Sequence, residues 1–279
     1  MKELHVLNLG AGVQSTTIYM KMCDGEIPAA DVAIFADTQE EPALVMKHLE
    51  WLQKQDGPPI MIRTRGKLGD HLMMGISHRG AKSRFAAVPF FTKKPDGEVG
   101  ITSRQCSKEY KTAVVDKAIR REVLGLKPKQ RVPKGVIVHQ YFGISLDEAR
   151  RSVNIKQRVE DHKSFRTHFP LLDPPGMTRG ECHQYLAKRV PHVVPKSSCV
   201  FCPYHDDALW LDLKNNQPED FARAVEIDEA IRVPGRIVNK NIKADRFAHR
   251  TCKPLKDVEF RHERQLNMFV TECEGMCGV

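Results

Sequence analysis

The 279-residue sequence lacks any run of about 18 apolar residues, the length that a membrane-spanning helix requires. It also lacks the charged and then apolar N-terminal pattern of a secretory signal peptide, and it contains no internal repeat or low-complexity segment. These absences argue against a membrane-spanning or secreted protein. We therefore expect a globular cytoplasmic protein without membrane contacts.

Two compositional features remain informative. The chain has eight cysteines, and in a reducing compartment cysteines serve more often as metal ligands or redox nucleophiles than in disulfides. Its net charge of +9 indicates an anionic partner. Because nucleic acids and small phosphorylated substrates both need a basic site, charge alone leaves both open.

The segment at residues 4–17, LHVLNLGAGVQSTT, predicts a phosphate site. An apolar strand runs into a loop of small residues, and a helical pattern follows directly. Backbone N–H groups and the helix dipole at such a junction favour an anion. The loop residues expected to contact a nucleotide are Gly10, Ala11, Gly12, Val13, Gln14 and Ser15.

Three kinds of nucleotide loop share this geometry. A Walker A loop is excluded because no Gly-Lys-Ser/Thr ends the segment. A dinucleotide-binding loop would need a third glycine where Ser15 stands, although Asp37 lies near the place of its ribose-binding acid. A pyrophosphate loop, usually Ser-Gly-Gly-x-Asp-Ser, is matched in degenerate form by GAGVQS. A glycine turn without a ligand is the remaining interpretation.

Strand-like and helical segments alternate through the first half of the chain. Strands are predicted at 4–9, 32–36, 60–63 and 136–142, and helices at 15–24, 42–54 and 108–124. This order predicts an α/β fold with a parallel sheet covered by helices on both faces. Ligands of such sheets bind beyond the carboxyl ends of the strands, where the Gly10 loop, Asp37, Thr38 and Gly143 would meet.

Regular alternation ends near residue 172, so we expect a nucleotide-binding domain at 1–172 and an irregular, cysteine-bearing extension at 173–279. Thr178 and Glu181 predict a capping box for a helix to about Lys188. A charged amphipathic helix is expected at 218–232.

The cysteines of the extension suggest a metal site. Cys199-Val200-Phe201-Cys202 places two thiols where a single turn can present both to a metal. Cys106 opens a predicted helix among basic residues, which favours its thiolate. Cys273 and Cys277 lie in the C-terminal sequence TECEGMCGV.

The chain resembles the phosphoadenosine phosphosulfate reductase family, a branch of the pyrophosphate-loop ATPases with the adenine nucleotide alpha-hydrolase-like fold. The similar segments occur in the family's order along nearly the whole chain: GAGVQS, FADTQEEP, RQCSKEYK, GISLDEARR, CVFCP and Glu272-Cys273. The resemblance implies an adenine nucleotide such as ATP, Mg²⁺ and a 4Fe-4S cluster, with zinc as the alternative metal.

The chain also departs from the family pattern. Gln105 stands where many cluster-bearing members have a second adjacent cysteine, and Ser145 replaces an anion-binding arginine. The C-terminal sequence continues beyond Cys273 and adds Cys277. These departures favour relatives that activate a substrate with ATP and move sulfur onto tRNA or DNA over those that reduce phosphosulfate.

The resemblance implies the following roles. Asp37 and Thr38 contact the nucleoside or Mg²⁺, while Arg104, Lys108 and Arg151 neutralise charge on the leaving phosphate. Cys273 is the mobile nucleophile or persulfide carrier. The resemblance gives three cluster ligands, Cys106, Cys199 and Cys202. We expect the fourth from the C-terminal sequence, where Cys277 is the first choice because the family's tail lacks it, with Cys273 or an open iron as the alternatives.

The expected function is adenylation-coupled sulfur transfer, with a sulfur- or electron-donor protein as partner and a homodimer left open. The first alternative is a thioredoxin-dependent, sulfite-forming phosphosulfate reductase. A second, from another class, is a zinc-stabilised nucleic-acid-binding protein with a vestigial nucleotide loop.

Overall fold

The computed structural model describes residues 2–74, 88–233 and 244–261. These residues form eight strands: β1 (Lys2–Leu9), β2 (Val32–Asp37), β3 (Ile60–Thr64), β4 (Phe91–Lys93), β5 (Val99–Ile101), β6 (Val136–Phe142), β7 (Phe165–His168) and β8 (Asp245–Phe247). The four strands expected from the sequence are present at nearly the expected positions.

Eight α-helices accompany the strands: α1 (Val13–Cys23), α2 (Ala43–Leu52), α3 (Leu68–Met74), α4 (Ala113–Ala118), α5 (Arg150–Glu160), α6 (Arg179–Ala187), α7 (Asp207–Asn216) and α8 (Pro218–Ala230). The α4 segment is continued on both sides by π-helical turns, Lys108–Thr112 and Ile119–Val123. Short 3₁₀ turns occupy Leu146–Glu148 and Leu255–Asp257. No helix in these ranges is long and apolar enough to cross a membrane.

The main sheet is parallel and five-stranded, in the order β3-β2-β1-β6-β7. Within each strand, successive side chains point to opposite faces of the sheet. Leu7 and Leu9 pack with α1 and α6 on one face, and Leu4 and Val6 pack with α4 and α5 on the other. The α/β fold with helices on both faces is therefore confirmed.

The strand order places a switch point between β1 and β6. The chain leaves β1 toward β2 on one side, and β6 leads to β7 on the other. Crevices that bind ligands in open α/β sheets lie at the carboxyl ends of such strand pairs. The Gly10 loop follows β1 and Gly143 follows β6, so both lie at this crevice.

The remaining elements include one helix start that the sequence predicted and a small sheet that it did not indicate. The Thr178–Glu181 capping box is present and begins α6, which packs on α1. A three-stranded antiparallel sheet, β5-β4-β8, joins segments more than 140 residues apart. Its strands have three residues each, too few to show a periodic pattern in the sequence.

A separate apolar core supports the cysteine-bearing loop. Val200, Phe201, Trp210 and Leu213 are buried together with Phe90 and with residues of α3 and α8. The loop between α6 and α7 is thus anchored by its own apolar side chains.

Candidate functional site

The Gly10 loop has the shape of an anion cradle. Ala11 adopts a left-handed backbone conformation (φ 55°), which turns the chain sharply between β1 and α1. Gly12 is the N-cap of α1 and supplies no capping side chain, and the first turn of α1 has no acidic residue. The positive end of the α1 dipole is therefore not neutralised by a side chain of that turn.

Ser15 helps to shape this loop. Its Oγ accepts a hydrogen bond from the Gly10 N–H at 3.1 Å and lies 3.3 Å from the Gly12 carbonyl oxygen, to which it donates. The hydroxyl expected to contact phosphate therefore already links the two glycines of the cradle.

The loop that follows β6 is seated against α1. A Cβ at Gly143 would lie 2.7 Å from the Ser15 backbone nitrogen, so only glycine fits this approach. Gln14 Nε2 lies 3.4 Å from Ser145 Oγ and 3.2 Å from Glu148 Oε2. Gln14 thus joins the Gly10 loop to the segment after β6 instead of facing the crevice.

Arg151 belongs to the same network. Its guanidinium pairs with Glu148 at 2.5 Å, and Glu148 in turn accepts from Gln14. Arg151 is therefore two contacts from the Gly10 loop, and its charge is partly balanced by a carboxylate.

The last residue of β2, Asp37, and the residue after it, Thr38, lie in different surroundings. Asp37 Oδ1 accepts the Gln39 N–H at 2.6 Å, and burial raises the pKa of the Asp37 carboxyl despite that bond. Thr38 lies with the cysteines, since its Oγ1 is 3.3 Å from Cys199 Sγ and also donates to Glu41. Thr38 therefore links the end of β2 to the cysteine loop.

The structure brings three of the predicted metal ligands to one pocket. Cys106 lies in the first helical turn, directly before the π-helical segment at 108–112, and Cys199 and Cys202 come from the loop before α7. A backbone bond from Cys202 N–H to the Cys199 carbonyl, 2.9 Å, closes the turn between the latter two. Thr38, Arg104, Ser107 and Tyr204 complete much of the lining.

The spacing of these thiols bears on the metal they could hold. The three sulfurs do not all lie within 4.8 Å of one another; among the described residues the only His/Cys/Asp/Glu group that close is Glu3, His5 and His139. A single tetrahedral zinc would hold thiolates about 3.8 Å apart, given Zn–S bonds near 2.3 Å. The pocket's open volume is about 20 Å³, so a cluster also requires side chains to move.

The surroundings of Cys199 oppose a free thiolate. Burial raises the pKa of the Cys199 thiol well above its usual value, and the nearby Glu41 carboxylate raises it further, while Lys111 acts in the opposite direction. Cys199 is thus a neutral thiol unless a metal compensates its charge, as expected of a ligand and not of a surface nucleophile.

Lys111 is the residue that the sequence interpretation missed. Its side chain is almost fully buried and pairs with Glu41 at 3.1 Å. It lines both the cysteine pocket and a small cavity with Asn8 and Gly10 beside the glycine loop. Lys111 precedes the buried Val114 and Val115 by three and four positions, and this helical spacing could have predicted its inward direction.

The other predicted cations lie at different places. Arg104 lines the cysteine pocket, with its guanidinium 5.4 Å from the centre of the Tyr204 ring. Lys108 is exposed and lines a separate cleft of about 730 Å³ beside β3, together with Arg63, Arg65 and Lys117. Cys273 and Cys277, expected as nucleophile and fourth ligand, lie outside the described residues.

Comparisons with known proteins add no assignment. No protein-family model, no curated protein and no solved structure matches this chain. The site must therefore be interpreted from its own residues.

Proposed function

We propose that this protein is an adenine-nucleotide-binding enzyme that carries an iron–sulfur cluster and performs adenylation-coupled sulfur transfer, with nucleic acid as the acceptor. One observation carries the proposal. The uncapped glycine loop at the switch point and the pocket of three cysteines lie on either side of a single buried lysine, Lys111.

The nucleotide part of the proposal rests on the Gly10 loop. Its backbone N–H groups and the α1 dipole would hold phosphate, while Asp37 at the end of β2 would contact the nucleoside or a Mg²⁺ ion. Lys111 lines the cavity beside Gly10, and its ammonium, which pairs with Glu41, would offset part of the negative charge on the phosphate.

The cluster part rests on Cys106, Cys199 and Cys202, with a fourth ligand from Cys277 or an open iron. These three cysteines stand in the order and segments of the cluster-bearing family, which supports a cluster over the zinc-stabilised nucleic-acid-binding alternative. A cluster bound there would supply iron able to bind sulfur. Thr38 and Arg104 would orient the ligands and balance their charge.

Anaerobic purification tests both parts. We expect bound iron and acid-labile sulfide in equal amounts, lost in Cys106→Ser, Cys199→Ser and Cys202→Ser and retained in the control Cys23→Ser. Calorimetric titration should show ATP binding that weakens at least about tenfold in Gly12→Asp, where a carboxylate would repel phosphate. Gly180→Asp, in the exposed first turn of α6, is the matched control.

Several results would contradict the proposal. Full iron retention in all three cysteine variants would remove the cluster, and one zinc per chain without iron would favour the nucleic-acid-binding alternative. Binding of NAD without ATP would favour a dinucleotide loop. Thioredoxin-dependent release of sulfite from phosphoadenosine phosphosulfate would favour the reductase alternative.

A further inference from the structure

A second group of metal-binding side chains lies at the other end of the main sheet. Glu3 and His5 are on β1, and His139 is the direct cross-strand neighbour of His5 on β6. Donor atoms of these three residues all lie within 4.8 Å of one another. His5 precedes Gly10 by five strand residues, roughly 16 Å, so the group is separate from the glycine loop.

The register of the sheet explains why these side chains meet. Glu3 and His5 are two positions apart and so share one face of β1, and His139 shares that face because it pairs with His5. The two imidazole rings are stacked, with centroids 4.6 Å apart and planes 7° from parallel. Neighbours on β6 and β7, Tyr141 and His168, extend the group on the same face.

Each histidine is oriented through one ring nitrogen. Nδ1 of His5 lies 2.9 Å from the Tyr141 hydroxyl, and Nδ1 of His139 lies 2.8 Å from His168 Nε2. When both Nδ1 atoms donate, both Nε2 atoms carry lone pairs, and because the rings are nearly parallel one ring must tilt for the two lone pairs to meet at one ion. Metal-bound histidines commonly have the second nitrogen fixed in this way by a neighbouring acceptor.

Nε2 of His139 is a potential ligand atom without a hydrogen-bond partner among the described residues. It is also shielded from solvent. Glu3 Oε2 lies 3.8 Å from it, too far for a hydrogen bond but suitable for a shared cation after a small closure. Glu3 is exposed and the histidines are half-buried, so an ion can reach the group from solvent.

We propose that Glu3, His5 and His139 form a binding site for a divalent transition-metal ion of the zinc class, with water completing its coordination. Two imidazole nitrogens and one carboxylate oxygen suit Zn²⁺, Co²⁺ or Ni²⁺ better than Mg²⁺ or Ca²⁺. The bound ion clamps β1 to β6 at the end of the sheet remote from the nucleotide loop. This site does not depend on the proposed function.

Titration of the tag-free protein with Co²⁺ tests the site. We expect one equivalent with weak visible d–d absorption and without the intense thiolate-to-cobalt charge-transfer band of a cysteine site. His139→Ala and Glu3→Gln should each weaken binding at least about tenfold, because loss of an outer-shell partner alone costs that much. The exposed His162→Ala is the control and should bind as the wild type does. Zn²⁺ should raise the melting temperature of the wild type but not of His139→Ala.

The outcomes separate this site from the cysteine pocket. Unchanged Co²⁺ affinity in both His139→Ala and Glu3→Gln would overturn the proposal, as would the absence of binding. A charge-transfer band that disappears in Cys199→Ser, with no remaining Co²⁺ absorption, would place the metal at the cysteines alone. Glu3→Gln alters an exposed side chain, so its result does not depend on whether His139→Ala folds.

Discussion

Two buried residues illustrate how this protein places charge inside its core. Lys111 and Glu41 are nearly inaccessible to solvent, and each is the other's charged partner. Thr38 and Ser197 also donate to Glu41, so its carboxylate is held between β2 and the cysteine loop. Burying such a pair costs desolvation free energy. Replacing only one of the two residues destabilises the protein more than replacing both, because it leaves a buried charge without a partner.

Lys111→Met should therefore destabilise the protein by about 3–5 kcal/mol, because Glu41 is left as a buried charge without its cation. The double variant Lys111→Met with Glu41→Gln should recover much of that loss. Urea unfolding measures the difference in free energy. Lys108→Met, three residues away but exposed, is the control and should change stability by less than about 0.5 kcal/mol. If Lys111→Met and Lys108→Met lower the free energy of unfolding equally, the buried ion pair does not account for the loss at Lys111.

His48 makes stability depend on pH. It is buried, and its Nε2 and Nδ1 lie 3.0 Å from Thr16 Oγ1 and 2.9 Å from His192 Nε2. Burial, with a smaller effect from His192, lowers the pKa of His48 to about 4. The unfolded chain then binds the proton more tightly than the native one, so stability present above pH 6.5 is lost as pH falls toward 4.

Between pH 7 and pH 5 the wild type should lose about 2 kcal/mol through His48 alone. His48→Gln should show a correspondingly smaller loss over the same interval. Parallel urea titrations at the two pH values measure this difference and cancel the contributions of the other histidines. The same pH dependence in the variant and the wild type would refute the assignment.

At the scale of elements, the contact between the β6 end and α1 fixes the Gly10 loop. Gly143→Ala would drive a Cβ into the backbone of Gln14 and Ser15, atoms that cannot move without displacing α1. We expect a loss of about 1–3 kcal/mol and weaker ATP binding. Gly180→Ala places its Cβ 3.9 Å from the nearest other atom and should stabilise α6 by about 0.5 kcal/mol. Thermal unfolding of both variants checks these opposite signs.

At the scale of the whole molecule, the cysteine pocket depends on the second apolar core. Phe201 lies between Cys199 and Cys202 in the sequence and is fully buried. Its ring stacks on that of Phe90, with the ring centroids 6.4 Å apart. The Val200 N–H donates to the Glu40 carbonyl at 2.7 Å, which fixes the same loop to the end of β2. The core thus determines where the thiols lie.

Phe201→Ala should destabilise the protein by about 3–5 kcal/mol and reduce its iron content, because the cavity left behind releases the loop. Val193→Ala is the control, since Val193 is 87% exposed on the same connection and should affect neither property. Iron analysis and urea unfolding on the same samples link the two effects. A destabilised Phe201→Ala protein that keeps its full iron content would contradict the prediction that this core positions the cysteines.

The sequence determined the parallel sheet, the glycine loop and the capping box, because each is specified by neighbouring residues. Alternating strands and helices, small residues at a strand end and Thr178 with Glu181 act over a few positions. The short strands β4, β5 and β8 and the inward direction of Gln14 were not predicted, since they depend on contacts between distant segments.

Only the tertiary structure decided which chemical groups meet. Helical spacing could have predicted that Lys111 points inward, but only the packing of α4 on the sheet brings it, and not Lys108, to the cysteine pocket. His5 and His139 become neighbours through a strand pairing that spans 134 positions. Local sequence encodes backbone conformation, whereas the register of the sheet and the burial of helix faces bring distant donors together.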